Sequence, residues 1–350
     1  MLYDIKYLSF FNKNMKKNVL ITGITGMVGS HLTDYLLKKT NWKIYGLCRW
    51  RSPLDNVSHI LPLANQKSPR IQFINADLND YSSLIKALEI SKPNYIYHLA
   101  AQSYPLTSFV EGNLTLDTNI IGTYNVLNAV KQLKLNPFIH ICSSSEVFGR
   151  VKKENLPIDE NCSYHPASPY AISKVGTDLI GRYFYEAFNL KILITRMFTH
   201  TGPRRGDVFA ESSFAKQIAL IEAKKIKPII KVGNLLSLRT YADVRDAVRA
   251  YYLLLTKNPK PGEIYNIGGN YTCSVKQMLE FLLTKTNIKN IKILEDKKRL
   301  RPIDADLQVP NTNKFRTHTG WQPKIKFKNT MTDLLNYWRE RVRAQNFLDR

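Results

Sequence analysis

NVLITGITGMVGSHLTDYLLKK, residues 18–39, holds a strand, a turn and a helix in that order. Asn18 to Thr22 is an apolar run of strand length, and Ser30 to Lys39 carries its apolar residues at helical spacing. Between them stand Gly23, Gly26 and Gly29. A β-carbon at these positions would hold a phosphate away from the free N–H groups and positive dipole end of the helix. A glycine triplet alone is a tight turn; placed between strand and helix it points to a dinucleotide pyrophosphate. Gly23, Thr25, Gly26, Met27, Val28 and Gly29 are the expected cradle.

Further along the chain the same alternation continues. Strands are expected at Lys43–Cys48, Ile71–Asn75, Tyr95–Leu99 and Phe138–Cys142, with helices at Tyr81–Ile90 and Asn119–Gln132. Strands separated by such helices build parallel βαβ units, so the fold class is α/β, a doubly wound parallel sheet. Beyond Thr199 the rhythm loosens into Gly-, Pro- and Arg-rich loops, which marks a smaller C-terminal α/β substrate-binding region interleaved with the first. Residues 16–198 plus about 237–268 are assigned to dinucleotide binding, and about 199–236 plus 269–350 to the substrate. The apolar centre of the opening stretch is too short for a signal peptide, so residues 1–15 are expected to be a loose extension.

The second strand selects the cofactor. A carboxylate at its end would accept the ribose hydroxyls of NAD, whereas the chain reads Cys48-Arg49-Trp50-Arg51-Ser52. Two guanidinium forks and no acid favour the 2′-phosphate of NADP, with Arg49 and Arg51 as its ligands. The alternative is that one arginine only stacks on the adenine. Asp77 and Leu78 would sit beside that ring, although Asp77 could equally cap the following helix.

Tyr170 and Lys174 are four residues apart in SPYAISK and share one face of a helix. A phenol titrates near 10, and a neighbouring ammonium would lower that value and make it a usable base. Without a dinucleotide turn upstream, the same spacing would read as an exposed surface pair. Ser144 and Glu146 follow the strand FIHIC, where open α/β sheets hold their ligands. Ser144 can bond a substrate oxygen. Glu146 offers a second acid or base, or else a plain loop or capping carboxylate.

Composition bounds the rest. The chain has 350 residues with 44% hydrophobic and 23% charged, enough apolar content for a large core and too much for disorder. No apolar run reaches membrane-spanning length. Cys48, Cys142, Cys162 and Cys273 are scattered, which argues against a metal cage or disulfide scaffold and for the reducing cytoplasm. Lys plus Arg number 51 against 28 acids, a net charge of +23. A nucleic-acid binder is one reading; lysines dispersed through every segment favour a solvated surface instead, so no nucleic acid, membrane or metal is expected.

Several motifs together resemble the extended short-chain dehydrogenase/reductase family, within it the GDP-mannose 4,6-dehydratase group. They are TGxxGxxG, HLAAQS at His98–Ser103, SSSEVFG at Ser143–Gly149, the YxxxK pair, GPRRGDVF at Gly202–Phe209, GNLLSLR at Gly233–Arg239, RPIDAD at Arg301–Asp306 and TGWQP at Thr319–Pro323. The resemblance implies a Rossmann-type fold, bound NADP and a GDP-linked sugar as substrate. It implies oxidation at C4 of a hexose with Tyr170 as base, aided by Ser144 and Lys174. Glu146 then removes the C5 proton and protonates the departing C6 hydroxyl. It further assigns Ala100 to the cofactor, with Lys174 also holding the nicotinamide ribose. Ser103, Thr199, Arg204, Lys216, Arg239 and Arg301 fall to the substrate, the last two to its diphosphate. A homodimer or homotetramer follows from the same likeness.

Ser144 stands where the dehydratases commonly have threonine, Thr199 where they have asparagine, and Thr240 where aspartate is usual. FAKQI at Phe214–Ile218 and VGNLLSLRTYADVRDA are similar instead to the GDP-4-keto-6-deoxymannose reductases. A ketosugar reductase, an epimerase and a dehydratase of a GDP-heptose are therefore carried as alternatives. The remote one is a non-catalytic nucleic-acid binder on the same scaffold.

Overall fold

The computed structural model describes residues 16–345; the expected extension at 1–15 lies outside them. In chain order the strands are β1 (Asn18–Thr22), β2 (Lys43–Cys48), β3 (Ile71–Asn75), β4 (Tyr95–His98), β5 (Phe138–Ser144), β6 (Lys191–Met197), β7 (His200–Thr201), β8 (Ile229–Val232), β9 (Leu238–Asp243), β10 (Ile264–Ile267), β11 (Tyr271–Ser274), β12 (Lys292–Glu295) and β13 (Leu307–Gln308). Seven of them form one sheet in the order β10-β6-β5-β4-β1-β2-β3. Every pairing in it is parallel. Both faces of such a sheet are covered, which is why Val19, Leu20, Ile21, Ile96, Ile139 and Ile141 are all essentially inaccessible. The chain winds outward from β1 in both directions, so a crevice opens between the carboxyl ends of β1 and β4. This is a doubly wound Rossmann-type sheet.

Two element boundaries differ from the sequence reading in ways that shape the crevice. The first helix spans Met27–Lys39, three residues earlier than its apolar pattern, and the Ser30 N–H donates to the Gly26 carbonyl at 3.0 Å. Gly29 therefore lies inside the first turn, where its low helix propensity is the cost of a close backbone crossing. β5 runs two residues past Cys142, because Ser143 and Ser144 keep their register with Arg196 and Met197 of β6. Ser144 is thereby held at a strand end. The expected helix at Asn119–Gln132 opens with one wide turn over Asp117–Ile121 and becomes regular at Gly122–Gln132.

The other strands belong to a second region. β9 pairs with β11, β13 and β7, and β8 pairs with β12. Helices Ala210–Glu222, Val275–Leu283 and Phe327–Arg343 supply its core through Phe214, Ile218, Met278, Leu282, Met331 and Leu335. The chain passes between regions more than once: β10 extends the large sheet beyond β6, and Val248 and Leu255 of helix Val244–Thr256 share a core with Leu32 and Leu36. No helix among the described residues is long and apolar enough to cross a membrane.

Candidate active site

One cleft of about 860 Å³ lies at the crevice predicted by the sheet order, lined by both regions. Its floor is the glycine turn. Gly23 has a φ of +71°, and a β-carbon there would lie 2.9 Å from Ala100 Cα. At Gly29 a β-carbon would lie 2.3 Å from the Gly23 carbonyl oxygen. Neither neighbour is a side chain that can swing away. Thr22 Oγ1 accepts the N–H groups of Leu99 and Ala100, each at 3.0 Å, which ties β1 to the end of β4 across the crevice. No side chain caps the helix at Gly26, and the first-turn N–H groups of Met27, Val28 and Gly29 precede any intrahelical acceptor. Together with Thr25, these residues form a cradle that fits a pyrophosphate.

The far end of the cleft is formed by β2 and β3. Arg49 lines it, its N–H donating to Ser52 Oγ at 3.1 Å while Ser52 N–H returns to the Arg49 carbonyl. This turn carries Trp50 and Arg51 out into solvent, so of the two expected guanidinium groups only Arg49 lines the cleft. Asp77 and Leu78 both line it. The next helix is capped by Asp80, whose carboxylate accepts from Ser82 and Ser83 N–H, so the capping alternative for Asp77 does not arise.

At the centre stand the four residues expected to carry chemistry. Helix Pro169–Phe188 starts on Ser168, whose Oγ accepts the Ala171 N–H, with Pro169 pre-shaped for the first turn. Tyr170 and Lys174 lie on its buried face, only 8% and 6% exposed, so they are not a surface pair. Lys174 Nζ donates to the Cys142 carbonyl at 2.8 Å. Ser144 Oγ accepts the Glu146 N–H at 3.2 Å and fixes the turn that turns Glu146 into the cleft. The phenol differs from expectation: burial pushes Tyr170 well above its ordinary value, against the hydrogen bond from Ser144. Cys142 and Glu146 add to the rise and the Arg205 cation opposes it. Burial also pulls the Lys174 ammonium down, because the same dry surroundings disfavour either charge.

The opposite wall is rich in arginine. Ser103, Thr199, Arg204, Arg239 and Arg301 all line it, whereas Lys216 lies outside the cleft with its ammonium 2.8 Å from Asp207. Arg204 adopts a left-handed φ of 69° and spends its guanidinium on Asp34 of the first helix, at 2.7 Å. Arg239 Nη2 pairs with Asp304 at 3.2 Å. Arg301 Nη1 reaches Glu146 Oε1 at 3.5 Å and Asp304 Oδ1 at 3.4 Å. Arg205, Glu211, Arg299 and Asp304 also line the cleft and escaped the sequence reading. Arg205 is paired with Glu211 at 3.3 Å and lies over the ring of Phe209. Arg205 and Asp304 stood inside motifs already quoted, GPRRGDVF and RPIDAD, whereas nothing local distinguishes Glu211 or Arg299. The arrangement can hold a dinucleotide beside an anionic ligand, with a phenol and a carboxylate facing the same space.

The family model described as GDP-mannose 4,6 dehydratase matches residues 20–334. The chain is 30% identical over 341 residues to the GDP-mannose 4,6 dehydratase of Homo sapiens, covering 91% of this chain and 90% of that protein. It is 28% identical over 332 residues to the GDP-6-deoxy-D-mannose reductase of Pseudomonas aeruginosa, covering 95% of this chain and all of that protein (100%). The solved structure of RMD from Pseudomonas aeruginosa complexed with NADPH superposes with a TM-score of 0.78 at 27% identity, over 93% of this chain and 100% of that one. A dTDP-glucose 4,6-dehydratase from Streptomyces venezuelae shares the fold at a TM-score of 0.80 and 23% identity, over 92% and 97% of the two chains. With the cleft, the turn and the motif residues in one place, the chain belongs to the GDP-mannose 4,6-dehydratase family.

Proposed function

We propose that the protein is an NADP-dependent GDP-sugar 4,6-dehydratase, acting on GDP-mannose or a GDP-heptose. The observation that carries it is Glu146 projecting into the same cleft as Ser144 and Tyr170, beside the glycine cradle. A nicotinamide bound there would supply reversible hydride exchange, accepting the hydride from C4 and returning it to C6 once water has left, so that it ends unchanged. Ser144 and Tyr170 face the C4 hydroxyl, and Tyr170 takes its proton as the ketone forms, with Ser144, Arg205 and the positive charge of a bound nicotinamide offsetting the burial that raises the phenol. That ketone acidifies the C5 proton. Glu146 removes it and returns a proton to the C6 hydroxyl, which leaves as water. Lys174, anchored on the Cys142 carbonyl, is placed to hold the nicotinamide ribose. NADP is preferred to NAD because Arg49, and no carboxylate, follows β2 at the cleft. In this reading residues 16–198 with about 237–268 serve the dinucleotide, although β9 at the start of that second stretch joins the smaller sheet and carries Arg239 for the sugar nucleotide, and about 199–236 with 269–350 serve the sugar nucleotide.

Assembly is proposed as a homodimer or homotetramer. Ile172, Leu179 and Tyr183 are exposed along one face of helix Pro169–Phe188, beside exposed Ile121 and Tyr124, and a second copy would cover them. A cytoplasmic location fits four unbridged cysteines.

The test is incubation with GDP-mannose, and separately a GDP-heptose, with catalytic NADP, followed by mass spectrometry. Loss of one water without net cofactor consumption is expected. Glu146→Gln should keep nucleotide binding and lose about 10²–10⁴-fold in elimination. The second reading, a GDP-4-keto-6-deoxy-sugar reductase, is favoured by the end-to-end match to the Pseudomonas reductase. Stoichiometric NADPH oxidation by a 4-keto-6-deoxy substrate, with no dehydration of either GDP-sugar, would decide for it.

A further inference from the structure

Four charged side chains form a row on the wall of the cleft: Arg239, Asp304, Arg301 and Glu146. Asp304 anchors the row, its carboxylate also accepting from Ser237 Oγ at 3.0 Å and Asn234 Nδ2 at 3.2 Å. Arg301 is thus tethered to a fixed anion on one side, and the same Nη1 reaches Glu146 on the other. Both partners are mostly buried, with side-chain exposures of 22% for Arg301 and 16% for Glu146, so solvent screens the pair weakly. Arg301 comes from the C-terminal segment and Glu146 from the turn Ser145–Phe148 that follows β5, so no local sequence feature requires them to meet.

A cation against the carboxylate oxygen that must take a carbon-bound proton occupies the lone pairs that proton needs. A diphosphate in the same cleft is a stronger claimant on a guanidinium fork. We propose that Arg301 is the positioning residue for Glu146, one guanidinium shared between that carboxylate and the ligand's diphosphate, so that ligand binding frees Glu146 to act as a base. This rests on the nucleotide-sugar reading above and adds the order of events: the carboxylate is released only where a diphosphate is present to take its partner.

The experiment measures GDP binding by calorimetry to the full-length protein and to Glu146→Gln, Arg301→Lys and the double variant. If Glu146 competes for Arg301, Glu146→Gln tightens GDP binding by about three- to tenfold, the usual size of coupling inside one charge network. That gain shrinks to less than about twofold in the Arg301→Lys background, because a point-like ammonium cannot serve both partners as the fork does. Arg301→Lys in turn lowers kcat for the GDP-sugar more than it raises KM. A purely structural Arg301 would leave the Glu146→Gln gain intact in both backgrounds. Equal dissociation constants for the native protein and Glu146→Gln overturn the sharing while leaving the enzyme assignment standing. No GDP binding to the native protein overturns both. Melting temperatures of the variants show whether each is folded, and the Glu146→Gln comparison stands even where an Arg301 variant is not.

Discussion

At the scale of single residues, Tyr170 shows how burial changes a group's duty. The motif identified the phenol and its lysine partner, and the expectation was a phenol eased downward by an ammonium. In the fold burial pushes the phenol up, while Lys174 directs its Nζ to the Cys142 carbonyl. The cation that opposes the rise is Arg205, some 35 residues along the chain, and its own charge is paired with Glu211. Tyr170→Phe removes the proton acceptor while leaving the ring in place. It is expected to lower turnover by about 10²–10⁴-fold with cofactor retention unchanged, read from steady-state kinetics and released-nucleotide absorbance. Retained turnover would show that another group takes the proton.

Elements were more legible than contacts. β1, the glycine turn and the first helix follow from periodicity and composition, and the parallel pairing of the large sheet follows from the alternation of strands and helices. Gly29 is the point where element and function meet. Its missing β-carbon lets the helix start cross the Gly23 carbonyl, and an added methyl would meet that backbone oxygen at 2.3 Å. Gly29→Ala is expected to cost about 1–3 kcal/mol by overpacking and to empty the cradle. Denaturant unfolding and the cofactor content of the purified variant check both halves, and native-like values for both would mean the turn can shift. TGWQP illustrates the opposite case, a motif whose role is packing. Trp321 is fully buried and its indole N–H donates to the Asp246 carbonyl at 3.1 Å, holding the chain that follows against helix Val244–Thr256.

Across the whole molecule, burial of histidine sets a pH limit. Burial, the largest cause in each case, pulls His98 and His140 to about 3 and His31 and His200 to about 4, against an ordinary 6.5. Below 6.5 the unfolded chain takes up protons that these four sites refuse, so unfolding is favoured as the pH falls. Stability is intact above 6.5 and is lost on the way down toward 4 for His31 and His200 and toward 3 for His98 and His140; below their folded values these groups cause no further loss. Each costs about 1.4 kcal/mol at about pH 5.5. Urea unfolding at neutral pH and near 5.5 should therefore show a clearly lower midpoint in acid. An unchanged midpoint would mean that the four imidazoles are accessible to protons in the native state.

The chain's own order of residues determined the α/β alternation, the glycine cradle and the Tyr170–Lys174 spacing, because each depends on neighbours within a few positions. It also set Glu146 and Ser144 at a strand end, since an apolar run of strand length precedes them. What only the tertiary structure decided is who faces whom: Arg301 on Glu146, Arg205 toward Tyr170, Arg51 and Lys216 away from the cleft. Those partners come from segments separated by 35 to 155 residues, and the dryness that sets their charges exists only once both regions have closed around them.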